Sequence, residues 1–145
     1  MTDAFAQNGI MVHAYLMYGF PTQTTQETVD SLEVVRQLFL NGCIHSAYWH
    51  KFTTTIHSPI GMNPQDFNIK IVGPKFEGFA QNDLWHEDPL GTNHDDFTEG
   101  LNEALISFLN GLGLDVPLQE WFDIEIPETT LDSELIASFL DSENL

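Results

Sequence analysis

Two short acidic segments hold the densest cluster of potential ligand and proton-transfer groups in this sequence. His86-Glu-Asp88 and His94-Asp-Asp96 place two imidazoles and four carboxylates within eleven residues. These are ligand types that Zn²⁺ and other divalent ions accept. Their spacing matches no metal motif of defined geometry, however, and helix N-termini favour acidic residues such as Asp95 and Asp96 without any metal. We therefore assign no metal ligand in this chain.

A second group of chemically useful side chains lies in a segment that alternates in polarity with the period of a β-strand. One face of this strand holds His13, Tyr15, Met17 and Gly19. The opposite face is more apolar, and its members are Val12, Ala14, Leu16 and Tyr18. We expect the apolar face to pack on helices and the mixed face to meet a cavity or ligand. A strand–helix turn with a purely structural role is the alternative.

A third group flanks the end of the next predicted strand. Trp49, His50 and His57 lie near the edge where a parallel barrel keeps its ligand site. An aromatic ring at a strand end can stack on a purine or close a pocket. A packed aromatic strand with hydrogen-bonded histidines is the alternative.

Local patterns predict the elements that position these groups. Strand 10–18, helix 24–41 and strand 43–53 form a βαβ unit, which requires parallel strands and a crossover. Thr24-Thr-Gln-Glu27 has the sequence of a capping box at the helix start. The elements predicted beyond it are a loop over 54–91 with one strand at 68–72, a helix at about 96–111 capped by Asp95 or Asp96, a helical turn at 117–122 and a short acidic helix around 133–140.

The segment Tyr-x-Met-x-Gly-Phe-Pro-x-Gln-Thr, residues 15–24, resembles the strand–turn–helix segment of radical SAM enzymes. Its usual form in that superfamily is Asp-x-Ile-x-Gly-Phe/Leu-Pro-Gly-Glu/Gln-Thr. Strand-like residues 46–52 and the turn His57-Ser-Pro-Ile-Gly61 agree in order and distance, so the resemblance covers roughly residues 9–70. Thr22 and Gln23 replace the commoner Gly and Glu. Within the superfamily, the chain looks most like the Fe-S oxidoreductases that carry an N-terminal cobalamin-binding domain.

This resemblance implies an α/β fold in which residues 1–72 form the C-terminal portion of a partial parallel, TIM-like barrel with crossover helices. Residues 73–145 would be an acidic, mostly helical C-terminal extension. The cofactors implied for the intact protein are S-adenosylmethionine, a [4Fe–4S] cluster and, in the resembling type, cobalamin. The contacts implied are His13, Tyr15, Gly19 and Phe20 with the cofactor and Trp49, His50 and His57 with the substrate.

The cysteine content limits what this chain can do alone. Radical SAM clusters are held by Cys-x3-Cys-x2-Cys, whereas Cys43 is the one cysteine present and a single thiolate cannot ligate such a cluster. We therefore expect the C-terminal part of a longer enzyme, with its cluster and catalytic residues in an N-terminal part that would be its partner. A non-catalytic binding or regulatory module with an α/β fold is the alternative. A lone cysteine also fits a reducing compartment, and we expect the cytoplasm.

Charge is distributed unevenly along the chain. Residues 1–75 contain all four basic residues against five acidic ones, whereas residues 76–145 contain seventeen acidic residues and no lysine or arginine. Such a field repels phosphate backbones, which excludes nucleic acid as a partner of the second half. No apolar run approaches the roughly 18 residues of a membrane span, so no membrane contact is expected. We interpret the acidity as a solubility feature, with docking on a basic partner as the alternative.

Overall fold

Two small sheets and the helices around them form the mixed α/β structure of the described residues, 1–75, 81–89 and 92–143, in a computed structural model. The helices are α1 (Thr2–Gln7), α2 (Thr25–Leu40), α3 (Pro59–Met62), α4 (Thr98–Leu109) and α5 (Leu135–Glu143). The strands are β1 (His13–Tyr18), β2 (Ser46–Lys51), β3 (Thr54–Thr55), β4 (Lys70–Gly73) and β5 (Asp83–Glu87). Short 3₁₀ turns occupy Pro64–Phe67, His94–Phe97 and Leu118–Trp121.

The first sheet is the predicted βαβ unit. Strands β1 and β2 run parallel, in a register that pairs His13 with Ser46 and Tyr18 with Lys51, and α2 connects them. The capping box is present, with both reciprocal hydrogen bonds between Thr24 and Glu27. The prediction of a parallel pair joined by a capped helix is therefore confirmed, although both strands are about three residues shorter at their N-terminal ends.

The second sheet corrects the prediction of a loop over 54–91. Strands β3, β5 and β4 lie side by side, and each pairing is antiparallel. The predicted strand at 68–72 corresponds to β4, while β3 and β5 were expected to be loop. The parts of the predicted loop at 76–80 and 90–91 lie outside the described residues. No closed barrel forms within the described part of the chain.

One hydrophobic core joins the two halves of the chain. The buried side chains of α2, the inner side of the parallel sheet and α4 pack together, and Leu32, Phe97 and Leu101 are fully inaccessible. The core thus includes residues from both sides of the boundary predicted at residue 72. None of the described helices combines the length and apolarity needed to cross a bilayer.

The start of α4 differs from the prediction that Asp95 or Asp96 caps it. Phe97 occupies the N-cap position and no side chain caps the helix. Both carboxylates are engaged elsewhere, because Lys51 forms an ion pair with Asp95 and the side-chain amide of Asn93 donates to Asp96 at 2.8 Å. The preceding 3₁₀ turn therefore replaces the expected cap, and the capping prediction is wrong.

The C-terminal segment returns to α2 and is held by polar side chains. Asp30 accepts hydrogen bonds from the Thr130 amide at 2.8 Å and from the hydroxyls of Thr129 and Thr130 at 2.7 and 2.6 Å. Gln37 donates to the Asp132 carbonyl oxygen at 2.7 Å and accepts from the Ile136 amide at 3.0 Å. The predicted acidic helix, observed as α5, is anchored by this second contact.

We expect Thr24→Ala to lower the free energy of unfolding by about 1 kcal/mol, the usual loss of an N-cap. Hydrogen bonds from the Thr24 backbone and hydroxyl hold the pKa of Glu27 below its ordinary value of 4.5. The stabilisation is therefore present above that value and is lost as the pH falls through the lower, folded-state pKa. Denaturant titrations at pH 7 and pH 3 measure both effects. Thr53→Ala, outside any helix, is the control, and equal losses at pH 7 would contradict the prediction.

We expect Asp30→Ala to release the C-terminal segment from α2. A hydrogen bond to a charged acceptor is worth about 1.5–3 kcal/mol, so amide exchange over residues 129–132 should accelerate about tenfold or more. Hydrogen–deuterium exchange read by mass spectrometry measures this. Glu103→Ala removes an equal charge from the exposed side of α4 and should leave the segment protected. The same acceleration in both variants would attribute the effect to charge instead.

Candidate functional site

The side of the parallel sheet that faces away from the core carries exposed aromatic and imidazole groups. We call this the open face, and its members are His13, Tyr15, Met17, Ser46, Tyr48 and His50. Tyr15 is 76% exposed and Tyr48 55% exposed. The predicted alternation is confirmed, because Val12, Ala14, Leu16 and Tyr18 belong to the core or pack against it.

Ring contacts organise the open face into one continuous surface. The His50 ring stacks on Tyr15 with centroids 5.1 Å apart and an interplanar angle of 15°. Tyr48 meets the edge of His50 at 4.5 Å, and His13 meets Tyr15 at 5.1 Å. Nδ1 of His13 lies 2.6 Å from the Ser46 hydroxyl oxygen, the tautomer deciding which donates. Neighbouring strands thus hold each other's exposed rings in place.

The turn after β1 has a defined, hydrogen-bonded geometry. Gly19 takes a left-handed φ of +79°, which favours glycine. The amides of Gly19 and Phe20 donate to the same Gln23 side-chain oxygen, at 2.6 and 3.3 Å. Phe20 packs edge to face on Phe52, centroids 5.1 Å apart, and remains 44% exposed. The side-chain oxygen of Gln23 therefore organises the turn.

A cavity of about 390 Å³ opens where β1 and β2 end. Ligand sites of parallel α/β sheets lie at this carboxyl edge of the strands. We call it the strand-end cavity, and its lining residues are Gly19, Lys51, Phe52, His86, Asp88, Thr92, Asn93, His94 and Asp95. The second sheet and the turn before α4 thus supply the lining residues that do not come from the ends of β1 and β2.

His94 is the least accessible polar group of this cavity. Its side chain packs against Gly19, where an added Cβ would lie 3.4 Å from both Cβ and Cγ of His94. The residue is 8% exposed, and neither ring nitrogen has a hydrogen-bond partner within the described residues. Burial lowers the pKa of His94, despite the opposing effect of Asp88, so the ring is neutral at pH 7.

The other titratable groups of the cavity are paired within the chain. Nδ1 of His86 lies 3.0 Å from the Thr54 hydroxyl oxygen, and burial likewise lowers the pKa of His86. Asp88 accepts from the Thr22 amide at 2.7 Å, and Lys51 pairs with Asp95. One cationic and two anionic side chains thus surround two neutral imidazoles.

The structure separates the residues that the sequence grouped as contacts. His13, Tyr15 and His50 share the open face, whereas Gly19 lines the strand-end cavity. Trp49 lies in the core, 5% exposed, because neighbouring strand residues point to opposite faces.

Two further placements complete this comparison. His57 is exposed in the turn between β3 and α3 and does not line the cavity. Lys51 was not predicted as a site residue from the sequence, although its position at the end of a strand could have indicated one. The clustering of His86 with His94 was visible in the sequence, but their approach to Gly19 depends on the tertiary fold.

The described residues do not fit a metal centre. No three histidine, cysteine, aspartate or glutamate side chains converge as ligands in the described ranges. Cys43 is 1% exposed and burial raises the pKa of its thiol, which disfavours the thiolate that an iron–sulfur cluster requires. The chain matched no protein-family model, no curated protein and no solved structure. Its function is therefore inferred from the sequence and from the geometry described above.

We expect Gly19→Ala to destabilise the fold and to disturb His94. The alanine would have to adopt a left-handed backbone conformation, and its methyl group would then lie against the His94 ring. Gly111→Ala is a matched control, since Gly111 has a φ of +68° and nothing within 4 Å of an added Cβ. Both variants should lose about 1–2 kcal/mol from the backbone conformation. Only Gly19→Ala should also shift the His94 imidazole resonances in NMR spectra. Unchanged His94 resonances would contradict the contact.

Proposed function

We propose that this chain forms the C-terminal part of a radical SAM Fe-S oxidoreductase, of the type with an N-terminal cobalamin-binding domain. In this proposal β1 and β2 are two strands of a TIM-like barrel, and the open face is part of the barrel's inner wall. The observation that carries the proposal is a parallel strand pair packed on helices on one side and left open on the other.

Parallel sheets occur almost only with both faces covered, and a two-stranded sheet is marginal by itself. Within the described residues, β1 and β2 pair only with each other. Additional parallel strands from an N-terminal part would extend the sheet and enclose the open face. Enclosure inside a barrel would account for the exposure of Tyr15 and Tyr48 in this chain. Large aromatic side chains on adjoining strands form a patch that is suited to a partner or ligand rather than to water.

The mixed chemistry of the open face supports a ligand-facing role. Rings of tyrosine and histidine can stack on a flat group, and His13 and Ser46 add hydrogen-bonding atoms beside them. When bound, S-adenosylmethionine would supply a 5′-deoxyadenosyl radical, generated at a cluster held by the N-terminal part. Residues of this chain would position the adenosyl group through His13, Tyr15, Gly19 and Phe20. They would also exclude water around the substrate.

The three proposed substrate contacts lie in different surroundings in the structure. His50 stacks on Tyr15, so cofactor and substrate contacts would share one surface. His57 and Trp49 are proposed as substrate contacts on the sequence resemblance alone, and Trp49 lies in the core in this structure. A reducing cytoplasmic location is part of the proposal, since it fits the buried thiol of Cys43.

A non-catalytic binding or regulatory module is the second candidate. The observation that favours it is the single cysteine, which cannot hold the cluster that radical chemistry requires. Such a module would keep the βαβ unit and the strand-end cavity but bind its ligand without turnover. Coding sequence upstream of this chain separates the two candidates, because only the enzyme requires Cys-x3-Cys-x2-Cys there.

The decisive experiment uses the longest protein that the upstream reading frame encodes. After anaerobic reconstitution with iron and sulfide, we expect cluster absorption and formation of 5′-deoxyadenosine from S-adenosylmethionine. Tyr15→Ala and His50→Ala should lower this rate about tenfold or more, equivalent to about 1.4 kcal/mol or more of lost transition-state stabilisation, with cluster content unchanged.

Two exposed apolar residues away from the open face provide matched controls. Ile106→Ala on α4 and Phe139→Ala on α5 remove 60% and 62% exposed side chains and should leave the rate unchanged. An upstream sequence without the three cysteines would refute the enzyme. Equal rates for the open-face and control variants would remove this face from the site.

A further inference from the structure

The strand-end cavity contains an unexplained buried polar group. His94 is 8% exposed and both of its ring nitrogens are without hydrogen-bond partners among the described residues. Buried polar atoms are nearly always hydrogen-bonded, and leaving one unpaired costs about 1–3 kcal/mol. His94 also lines a cavity within the size range of small-molecule sites, about 390 Å³. A buried, unpaired imidazole at the wall of a cavity points to a partner within it.

The charges around the cavity restrict the chemistry of that partner. Asp88 and Asp95 both line it, so an anion would face two carboxylates and one ammonium group, that of Lys51. A cation gains little, because Lys51 itself occupies the rim and pairs with Asp95. A neutral ligand avoids both the repulsion of an anion by the carboxylates and the repulsion of a cation by Lys51.

The protonation state of His86 and His94 narrows the chemical class of the ligand further. A neutral imidazole offers one N–H donor and one nitrogen acceptor. Nδ1 of His86 lies 3.0 Å from the Thr54 hydroxyl oxygen, and the residue also lines the cavity. A hydroxyl group can both donate and accept hydrogen bonds. It therefore suits two neutral imidazoles better than a group that can only donate or only accept.

We propose that the strand-end cavity binds the hydroxyl groups of a neutral small molecule, such as a sugar or the ribose of a nucleoside, with His94 as the central hydrogen-bonding residue and His86 beside it. This site lies at the ends of β1 and β2. It shares Gly19 with the proposed adenosyl contacts, whereas no residue of the open face lines it. The residues on which it rests all belong to this chain, so the proposal does not depend on a radical SAM reaction.

The test is an NMR titration of the ¹⁵N-labelled chain, with the imidazole nitrogens observed through long-range couplings. The probes are D-ribose and adenosine, which separate a free sugar from a nucleoside, with sodium acetate and methylammonium chloride as an anion and a cation. We expect ribose, adenosine or both to shift His94 and His86 saturably, and tighter binding of adenosine would assign the hydroxyls to a nucleoside. His45 and His57, outside the cavity lining, are internal controls and should not move.

Two variants link the shifts to His94. His94→Phe keeps an aromatic ring without polar atoms and should weaken binding at least tenfold, while His94→Gln, whose amide both donates and accepts, should retain part of the affinity. The wild-type titration remains decisive if His94→Phe fails to fold. The proposal is overturned by the absence of saturable shifts with both hydroxyl compounds, which would leave water as the partner of His94. It is also overturned by stronger binding of acetate or methylammonium, or by unchanged affinity in His94→Phe.

Discussion

The parallel pairing of β1 with β2 is the constraint on which the rest of the structure depends. Two parallel strands cannot be joined by a tight turn, so α2 must cross between them and cover one side of the pair. That covered side takes Tyr18 and Trp49 into the core, and the pleat directs the alternate side chains outward. The register then brings the two strand ends together, with Tyr18 opposite Lys51. Both the open face and the strand-end cavity follow from this pairing.

The acidic half of the chain contributes to the same core despite its charge. Helix α4 places Leu101 and Phe108 against α2 and the sheet, and its preceding turn buries Phe97. Because His94 begins this turn, burial of Phe97 three residues later fixes the imidazole near Gly19. Uncompensated carboxylates remain mostly at exposed positions, where water and salt screen their repulsion. The cavity is therefore assembled by hydrophobic packing, and the ion pair between Lys51 and Asp95 adds one contact at its rim.

Sequence reasoning succeeded where the signal was local and failed where it was not. The capping box at Thr24 and the alternation around Tyr15 are short-range patterns with fixed periods, and both were confirmed. Strand β5 was missed because it is sandwiched between β3 and β4, a non-local pairing that prolines on either side obscure. Trp49 and His50 were grouped as neighbours in sequence, although successive strand residues must face opposite ways. Asp95 was read as a cap because its partner, Lys51, is 44 residues away.

The two proposed sites differ in what each still requires. The residues that line the strand-end cavity come from the ends of β1 and β2, from β5 and the residues after it, and from the turn before α4. The open face, in contrast, is an exposed aromatic surface on a sheet in which β1 and β2 pair only with each other within the described residues. A ligand there would be held from one side only, and one-sided stacking contributes little when water still reaches the other side. The role proposed for the open face therefore requires a second wall, whereas the ligand proposed for the cavity would contact several elements of this chain. Gly19 links the two sites, because it follows β1 and lines the cavity.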